Sequence, residues 1–420
     1  MGRVTPTGPN LNRWVQLGLL AAACVGAAAG VLALNPFQEN LKADLRLSDD
    51  QIALLQGPVQ LSVLLVSAPL GLAIDRWVRT KLLVGLSILN VVACLLTAVA
   101  PTYPALLGAR CLAVVAGNGA VITAYGLIGD LFPAPLRGRA KAVLGIAQYF
   151  GKSAIFALGG VLMAAAGGRS WRGSVLAVTG AIALVAALSF ALKEPPRSET
   201  KRPPSSARES WRELWAYRRM LAPVIGGMAT LDVATVGALT WSGPAFSRHF
   251  ALGPGAIGMA MATALLITGV CGPLLGGVAA DWSLRSRTSH RALAVLAGLS
   301  IAMAVSAPYA VVSSPVLASA MLTCLLTAGA AGLTIGIVVF VTLVPNEIRG
   351  LCLSVWLAGN AVFASVGPLA ISLLSDGLGG AAKLSQALAI GCGALALLAA
   401  AVFLGGHLAS RRTLQPQPGF

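Results

Sequence analysis

Charge is what this chain has least of. Asp, Glu, Lys and Arg make up 10% of its 420 residues, against roughly a quarter in a soluble globular protein. So few charges cannot cover a water-facing surface of this size. With 57% hydrophobic residues and a mean hydropathy of +0.82, the natural solvent is lipid. Acids are scarcer still, 14 against 30 bases, for a formal net charge of +16. No Lys/Arg-rich arm interleaved with aromatics accompanies that excess, so no nucleic-acid partner is expected. The excess fits loops that orient membrane helices and meet anionic head groups. Histidine is nearly missing: His249, His290 and His407 are scattered and suggest no ligand cluster. The seven cysteines, Cys24, Cys94, Cys111, Cys271, Cys324, Cys352 and Cys392, each lie inside an apolar run with no close neighbour in sequence. That is how small buried hydrophobes are placed, and it is not a disulfide framework or a metal site. There is no phosphate-binding glycine loop, no H-E-x-x-H and no Ser/His/Asp set. ATP drive and an enzymatic role are therefore not expected, nor is any cofactor.

What the chain does have is long apolar runs. Twelve are legible, at roughly 14–34, 51–74, 82–100, 104–129, 140–166, 173–192, 220–241, 254–280, 291–310, 314–342, 350–374 and 384–409. About twenty apolar residues suffice to cross a bilayer as helix. The first follows Arg3 and Arg13 without a convincing cleavage site, so it reads as a membrane helix and not a removed leader. Placing the N-terminus in the cytoplasm leaves six Lys/Arg outside: Lys42, Arg46, Arg169, Arg172, Arg248 and Lys383. Arg110 and Lys152 fall inside spans, and all other basic residues lie on the cytoplasmic side. This asymmetry predicts both termini inside, in a bacterial inner membrane.

The chain also repeats. SAPLGLAID, ending at Asp75, matches GPLLGGVAAD, ending at Asp281, and FPAPLRG at 132–138 matches VPNEIRG at 344–350. The two offsets, 206 and 212, are nearly equal, which indicates duplication of a six-helix unit. We expect an N-terminal bundle over 1–192, a Pro/Ser-rich basic linker over 193–219 and a C-terminal bundle over 220–420.

The hairpin GLAIDRWVRTK, Gly71 to Lys81, joins the second and third spans. Its pattern, G-x-x-x-D-R-x-x-R-x-K, resembles the loop between helices 2 and 3 of the major facilitator superfamily of transporters. More narrowly, LKADLRLSDDQIALLQG (Leu41 to Gly57), GARCLAVVAGNGA (Gly108 to Ala120), GDLFPAPLRGRA (Gly129 to Ala140), LVPNEIRG and VGPLAISLLSDGLG resemble the spinster-like branch. The resemblance implies an all-α polytopic membrane protein: twelve transmembrane helices in two pseudo-symmetric six-helix bundles around a central cavity. It implies alternating-access transport, secondary active or facilitative, of lysolipids, sphingoid phosphates or other amphipathic solutes. The chain departs from that branch twice. The branch's helix-1 Asp-Arg pair falls near Gly30-Val31, and its helix-4 Glu near Gly117-Asn118. Protons are a candidate coupling ion, but these missing acids put the branch's usual proton coupling in doubt.

Three ionisable residues lie well inside spans: Arg110, Lys152 and Asp232. A charge at mid-bilayer costs roughly 2.5–3.5 kcal/mol on insertion scales, so each needs a reason. Arg110 and Asp232 lie at similar depths, on helices that line the cavity in the resembled fold. We expect Arg110 to bind an anionic head group and Asp232 to modulate it. A buried pair that merely holds the halves together is the alternative. Lys152, Asn118, Gln148 and Asn360 complete the expected polar set. A cytoplasmic gate is expected from Asp75, Arg76, Arg79, Asp130 and Arg137, repeated as Asp281, Arg285, Glu347 and Arg349. The expected partners are a small amphipathic, anionic substrate and membrane lipids, and the expected state is a monomer. A multidrug or organic-acid exporter, a non-transporting polytopic sensor and a lipid-modifying enzyme are the competing readings.

Overall fold

The computed structural model describes residues 10–64, 77–167, 171–195, 212, 215, 217–284, 289–343 and 346–412. Among these residues there is no strand. The long helices, in chain order, are α1 (Asn10–Val31), α4 (Arg79–Val99), α5 (Tyr103–Leu131), α6 (Ala134–Ala165) and α7 (Trp171–Ala187). They continue with α8 (Arg218–Phe250), α9 (Pro254–Leu284), α10 (Ser289–Ser306), α11 (Pro315–Leu343), α12 (Asn346–Leu378) and α13 (Leu384–Arg412). Two short helices, α2 (Gln38–Leu45) and α3 (Asp49–Gln56), follow α1. Helix is what lipid demands, because a spanning segment must satisfy its own backbone N–H and C=O groups.

Eleven described stretches are long and apolar enough to cross a membrane. The twelfth expected span, 51–74, begins in α3 and runs into 65–76, which lie outside the described residues. The repeat appears in the helix boundaries. α5 and α11 both hold 29 residues, and α11 starts 212 residues after α5. α12 likewise starts 212 residues after α6, the offset of the second sequence match.

The chain divides into two compact units. The first holds 1–34, 65–155 and 172–201, and the second holds 35–64, 156–171 and 202–420. In the first, α1 packs on α5 and α5 on α4. Glycines set the closeness. A Cβ on Gly117 would lie 2.9 Å from the Ala27 carbonyl oxygen, and one on Gly151 2.3 Å from that of Val25. The core of this unit includes Leu20, Leu83, Ala124, Ile128 and Leu144. In the second, Gly272 and Gly276 of α9 meet Ala330 and Ala331 of α11, with hypothetical Cβ contacts of 2.6 Å. Gly367 of α12 meets the Val233 carbonyl of α8 at 2.4 Å. These glycines are packing notches, the small-residue contacts that let helices associate where lipid offers no hydrophobic drive. Pro368 sits at the same seam, and its carbonyl accepts a hydrogen bond from Trp241 Nε1 at 2.8 Å.

Candidate functional site

The first unit contains a buried cation. Arg110 sits in the second turn of α5 and is 1% exposed. Its position follows from how α1 ends. That helix stops at Val31, and Leu32 and Ala33 turn back onto the carbonyls of Ala28, Ala29 and Gly30. The last carbonyls of a helix lack intrahelical donors. Arg110 Nη2 supplies one, donating to the Val31 oxygen at 2.7 Å. The Arg110 Nε atom is buried and has no hydrogen-bond partner. A guanidinium offers five N–H donors and no acceptor, so donor capacity remains for an anionic oxygen.

Other expected residues of this unit lie on α5 and α6. Asn118 donates back to the Val114 carbonyl at 2.9 Å within α5. Gln148 of α6 donates to the Tyr125 hydroxyl of α5 at 3.0 Å. The Lys152 ammonium lies 4.9 Å from the ring centre of Tyr149, a cation–π contact on its own helix. Gly30, one of the positions lacking the branch's Asp-Arg pair, has no room for a side chain. A Cβ there would lie 2.4 Å from Asn90 Nδ2, and Asn90 itself donates to the Gly26 carbonyl at 3.2 Å. The amide of Asn90 occupies the space that an acid at this position would need.

In the second unit, Asp232 lies in the middle of α8 and Asn360 in the first half of α12, both half-buried. The Asn360 side-chain oxygen is buried without a hydrogen-bond partner.

The expected cytoplasmic cluster is partly described. Arg79 and Asp130 come together as an ion pair between the start of α4 and the end of α5, with the Asp130 side chain 4% exposed. Arg137 folds back over the end of α5. Its Nε donates to the Phe132 carbonyl at 3.0 Å and its Nη2 to the Gly129 carbonyl at 2.7 Å. Cations at a helix C-terminus offset its partial negative charge. Glu194, which the sequence reading passed over, accepts from the Arg79 and Thr80 backbone N–H groups at 3.1 and 2.8 Å. It therefore caps the N-terminus of α4 with a negative charge. Asp281 lies in the last turn of α9 and is exposed. Asp75, Arg76 and Arg285 lie outside the described residues. Glu347 and Arg349 are in the first turn of α12, and their side chains are likewise outside the description.

A second charged cluster went unnoticed in the sequence. Arg248, in the last turn of α8, grips two acids from 199 and 209 residues away. Its Nη1 donates to Asp49 Oδ2 at 2.8 Å and its Nη2 to Asp49 Oδ1 at 2.9 Å, a bidentate pair. The same Nη2 reaches Glu39 Oε1 at 2.7 Å. Lys42 adds a second cation to Asp49, and Ser372 of α12 donates to Asp50 at 2.8 Å. Burial alone would raise the Asp49 carboxyl, but hydrogen bonds from Arg248 and Lys42 outweigh it and hold the group below its ordinary value. The positioning is local. Ser48 and Gln51 form a reciprocal capping box that starts α3. Gly57, at the end of α3, lets it approach α12, since a Cβ there would lie 2.2 Å from the Ser365 carbonyl oxygen. One signal was available in the sequence. Four of the 14 acids, Glu39, Asp44, Asp49 and Asp50, crowd the short stretch 39–50.

The family model of the Major Facilitator Superfamily matches residues 18–327, more than half of the chain. This chain belongs to the major facilitator superfamily. As a transporter of that family it is an integral membrane protein. It is similar to an MFS-type efflux pump of Mycolicibacterium smegmatis, 28% identical over 409 residues, or 94% of this chain and 92% of the relative. Its fold matches crystal structures of a bacterial homologue of the human lysosomal transporter Spinster. The TM-score is 0.76 to the inward-facing unoccupied conformation and 0.78 to the inward-facing occupied one. In both cases the identity is 18%, with 98% of this chain and 100% of that chain covered. A D-xylose-proton symporter matches with TM-score 0.70 and 18% identity, over 94% of this chain and 97% of that one. The structural likeness agrees with the major facilitator fold expected from the transporter's sequence.

Proposed function

We propose that this transporter moves an amphipathic, anionic organic solute across a bacterial inner membrane by alternating access, with both termini in the cytoplasm. The observation that carries the reading is Arg110, a guanidinium buried within a membrane helix whose Nε has no partner. A cation that costs several kcal/mol to place there is explained if a substrate oxygen completes its coordination. Lys152 supplies a second positive charge from α6, with Asn118 and Gln148 as neutral donors. Asp232 and Asn360 are the polar residues proposed to act from the second half. Residues 1–192 and 220–420 act as the two bundles, and 193–219 tether them.

Alternation needs clusters that make and break at each end. Asp75, Arg76, Arg79, Asp130 and Arg137, with Asp281, Arg285, Glu347 and Arg349, serve the cytoplasmic end. The Arg248 cluster serves the outer end, as its place among the few extracellular basic residues supports. The missing acids near Gly30-Val31 and Gly117-Asn118 favour facilitated over proton-driven movement.

An efflux pump for organic acids or drugs is the second reading, favoured by the efflux-pump relative that aligns along nearly the whole chain. Purified protein in liposomes, offered lysolipids and organic anions with and without a pH gradient, tests both. The proposal expects anion-selective flux of lysolipid that Arg110→Ala abolishes and the gradient leaves unchanged. Flux of cationic drugs alone, driven by the gradient, would transfer the assignment to drug export. No flux of either class would remove both.

A further inference from the structure

Lys81 ends the hairpin motif, yet it belongs neither to the proposed substrate residues nor to the proposed gate. Other charges in this corner of the first unit are committed. Arg79 pairs with Asp130, and Glu194 accepts from the Arg79 and Thr80 backbone N–H groups. Lys81 is exposed, and its ammonium makes no hydrogen bond or ion pair among the described residues.

An open groove of about 650 Å³ runs beside it along α4, lined from Trp77 at one end to Leu89 at the other. Its lining is apolar except for Lys81. Leu82 and Leu86, each 9% exposed, form the floor. Gly85 leaves the middle clear, since a Cβ there would meet no atom within 4 Å. Leu82, Gly85, Leu86 and Leu89 recur at the spacing that puts residues on one helix face. Beyond them, Ile88, Val92 and Leu96 continue the exposed apolar surface of α4. The helix rises about 12 Å from Lys81 to Leu89. That is most of the depth of one leaflet, half of a hydrocarbon core of about 30 Å.

A free cation at the head of an apolar groove calls for an anion joined to a hydrocarbon chain. The volume lies in the range that holds such a molecule. A soluble anion has no use for the leucine floor. A second copy of the chain fits poorly as well. Two copies inserted the same way and paired symmetrically through this face would bring their Lys81 side chains together, and α4 carries no acid to separate them. Trp77, exposed at the end where Lys81 lies, is the residue type that sits among lipid head groups. We propose that this groove is a binding site for an anionic phospholipid, its phosphate against Lys81 and one acyl chain laid over Leu82, Gly85 and Leu86. The site is independent of which solute the transporter carries.

Photocrosslinking of the full-length protein in phosphatidylcholine nanodiscs tests this. The probes are phosphatidylglycerol and phosphatidylcholine, each with a diazirine in one acyl chain and present at the same trace level. Peptide mass spectrometry then reads the labelled sites. Labelling within 78–89 should be about five-fold higher from phosphatidylglycerol, the preference that one surface lysine confers. Lys81→Gln should bring it down to the phosphatidylcholine level, and Lys81→Arg should keep it high. Gly85→Leu, which fills the groove, should lower labelling from both probes. Equal labelling of the wild-type protein by the two probes would overturn the proposal. A preference that survives Lys81→Gln would put the responsible cation elsewhere, with the same consequence, as would labelling indifferent to Gly85→Leu. Should a variant fail to fold, the ratio in the wild-type protein still decides.

Discussion

The two charged clusters of this transporter are built differently. Arg79 and Asp130 join helix ends within the first unit. Their neighbours are mostly backbone groups: Arg137 over the end of α5, and Glu194 on the N-terminus of α4. The Arg248 cluster joins side chains to side chains, two acids and a lysine around one guanidinium, with partners about 200 residues apart. The first is anchored to helix termini, whose partial charges persist when side chains rearrange. The second depends on the α8 terminus and the 35–64 segment staying together. The first therefore keeps its helix-end contacts when the Arg79–Asp130 pair parts, whereas the second loses most of its contacts with one side chain.

Substitutions can break this comparison, and the largest effect should come from the residue outside both clusters. Arg110→Ala is expected to lower substrate flux by on the order of ten- to hundred-fold at unchanged protein level. Normal flux by that variant would reduce Arg110 to a C-terminal cap for α1. Next comes Arg248→Ala, which leaves Asp49 buried with only Lys42. A loss of about 2–3 kcal/mol is expected after allowing for the partial exposure of Arg248. It should appear as a lower Tm and as faster alkylation of a cysteine placed at Asp50. A double-mutant cycle between Arg248→Ala and Asp49→Asn should give a coupling of about 1–3 kcal/mol.

A smaller change is expected at the other cluster. Asp130→Asn should cost about 1 kcal/mol, because backbone caps remain on both helices. If it opened the protein as readily as Arg248→Ala, the contrast between the clusters would fail. The smallest effect should be that of pH on the Arg248 cluster. The Asp49 carboxyl is held below its ordinary value of 3.8. Its contribution is therefore complete above that value and is lost only as pH falls through the lowered one. Alkylation at position 50, taken relative to that of a free thiol at each pH because only the thiolate reacts, should be flat from pH 5 to 8, and a step inside that range would implicate another titrating group.

Much of the candidate site was legible because rare residues carry information in lipid. Arg110, Lys152 and Asp232 stood out as charges inside apolar runs. That Arg79 and Asp130 belong to one charged cluster followed from motifs at helix ends, but that they pair with each other did not. Glu194 was hidden in a charged linker, where one more acid drew no notice. The packing role of Gly272, Gly276 and Gly367 was undecided from sequence, since a glycine that bends a helix and one that admits a neighbour read alike.

Composition alone dictated that this chain lives in lipid, and the spacing of its apolar runs and repeated motifs dictated helices in two related sets. Those are properties of short windows, where one residue's solvent and period suffice. Only tertiary structure decided that Arg110 answers the frayed end of α1, that Asn90 fills the place of a lost acid, and that Arg248 finds Glu39 and Asp49. Each depends on atoms brought together from distant segments, and nothing in a local hydrophobic pattern carries that distance.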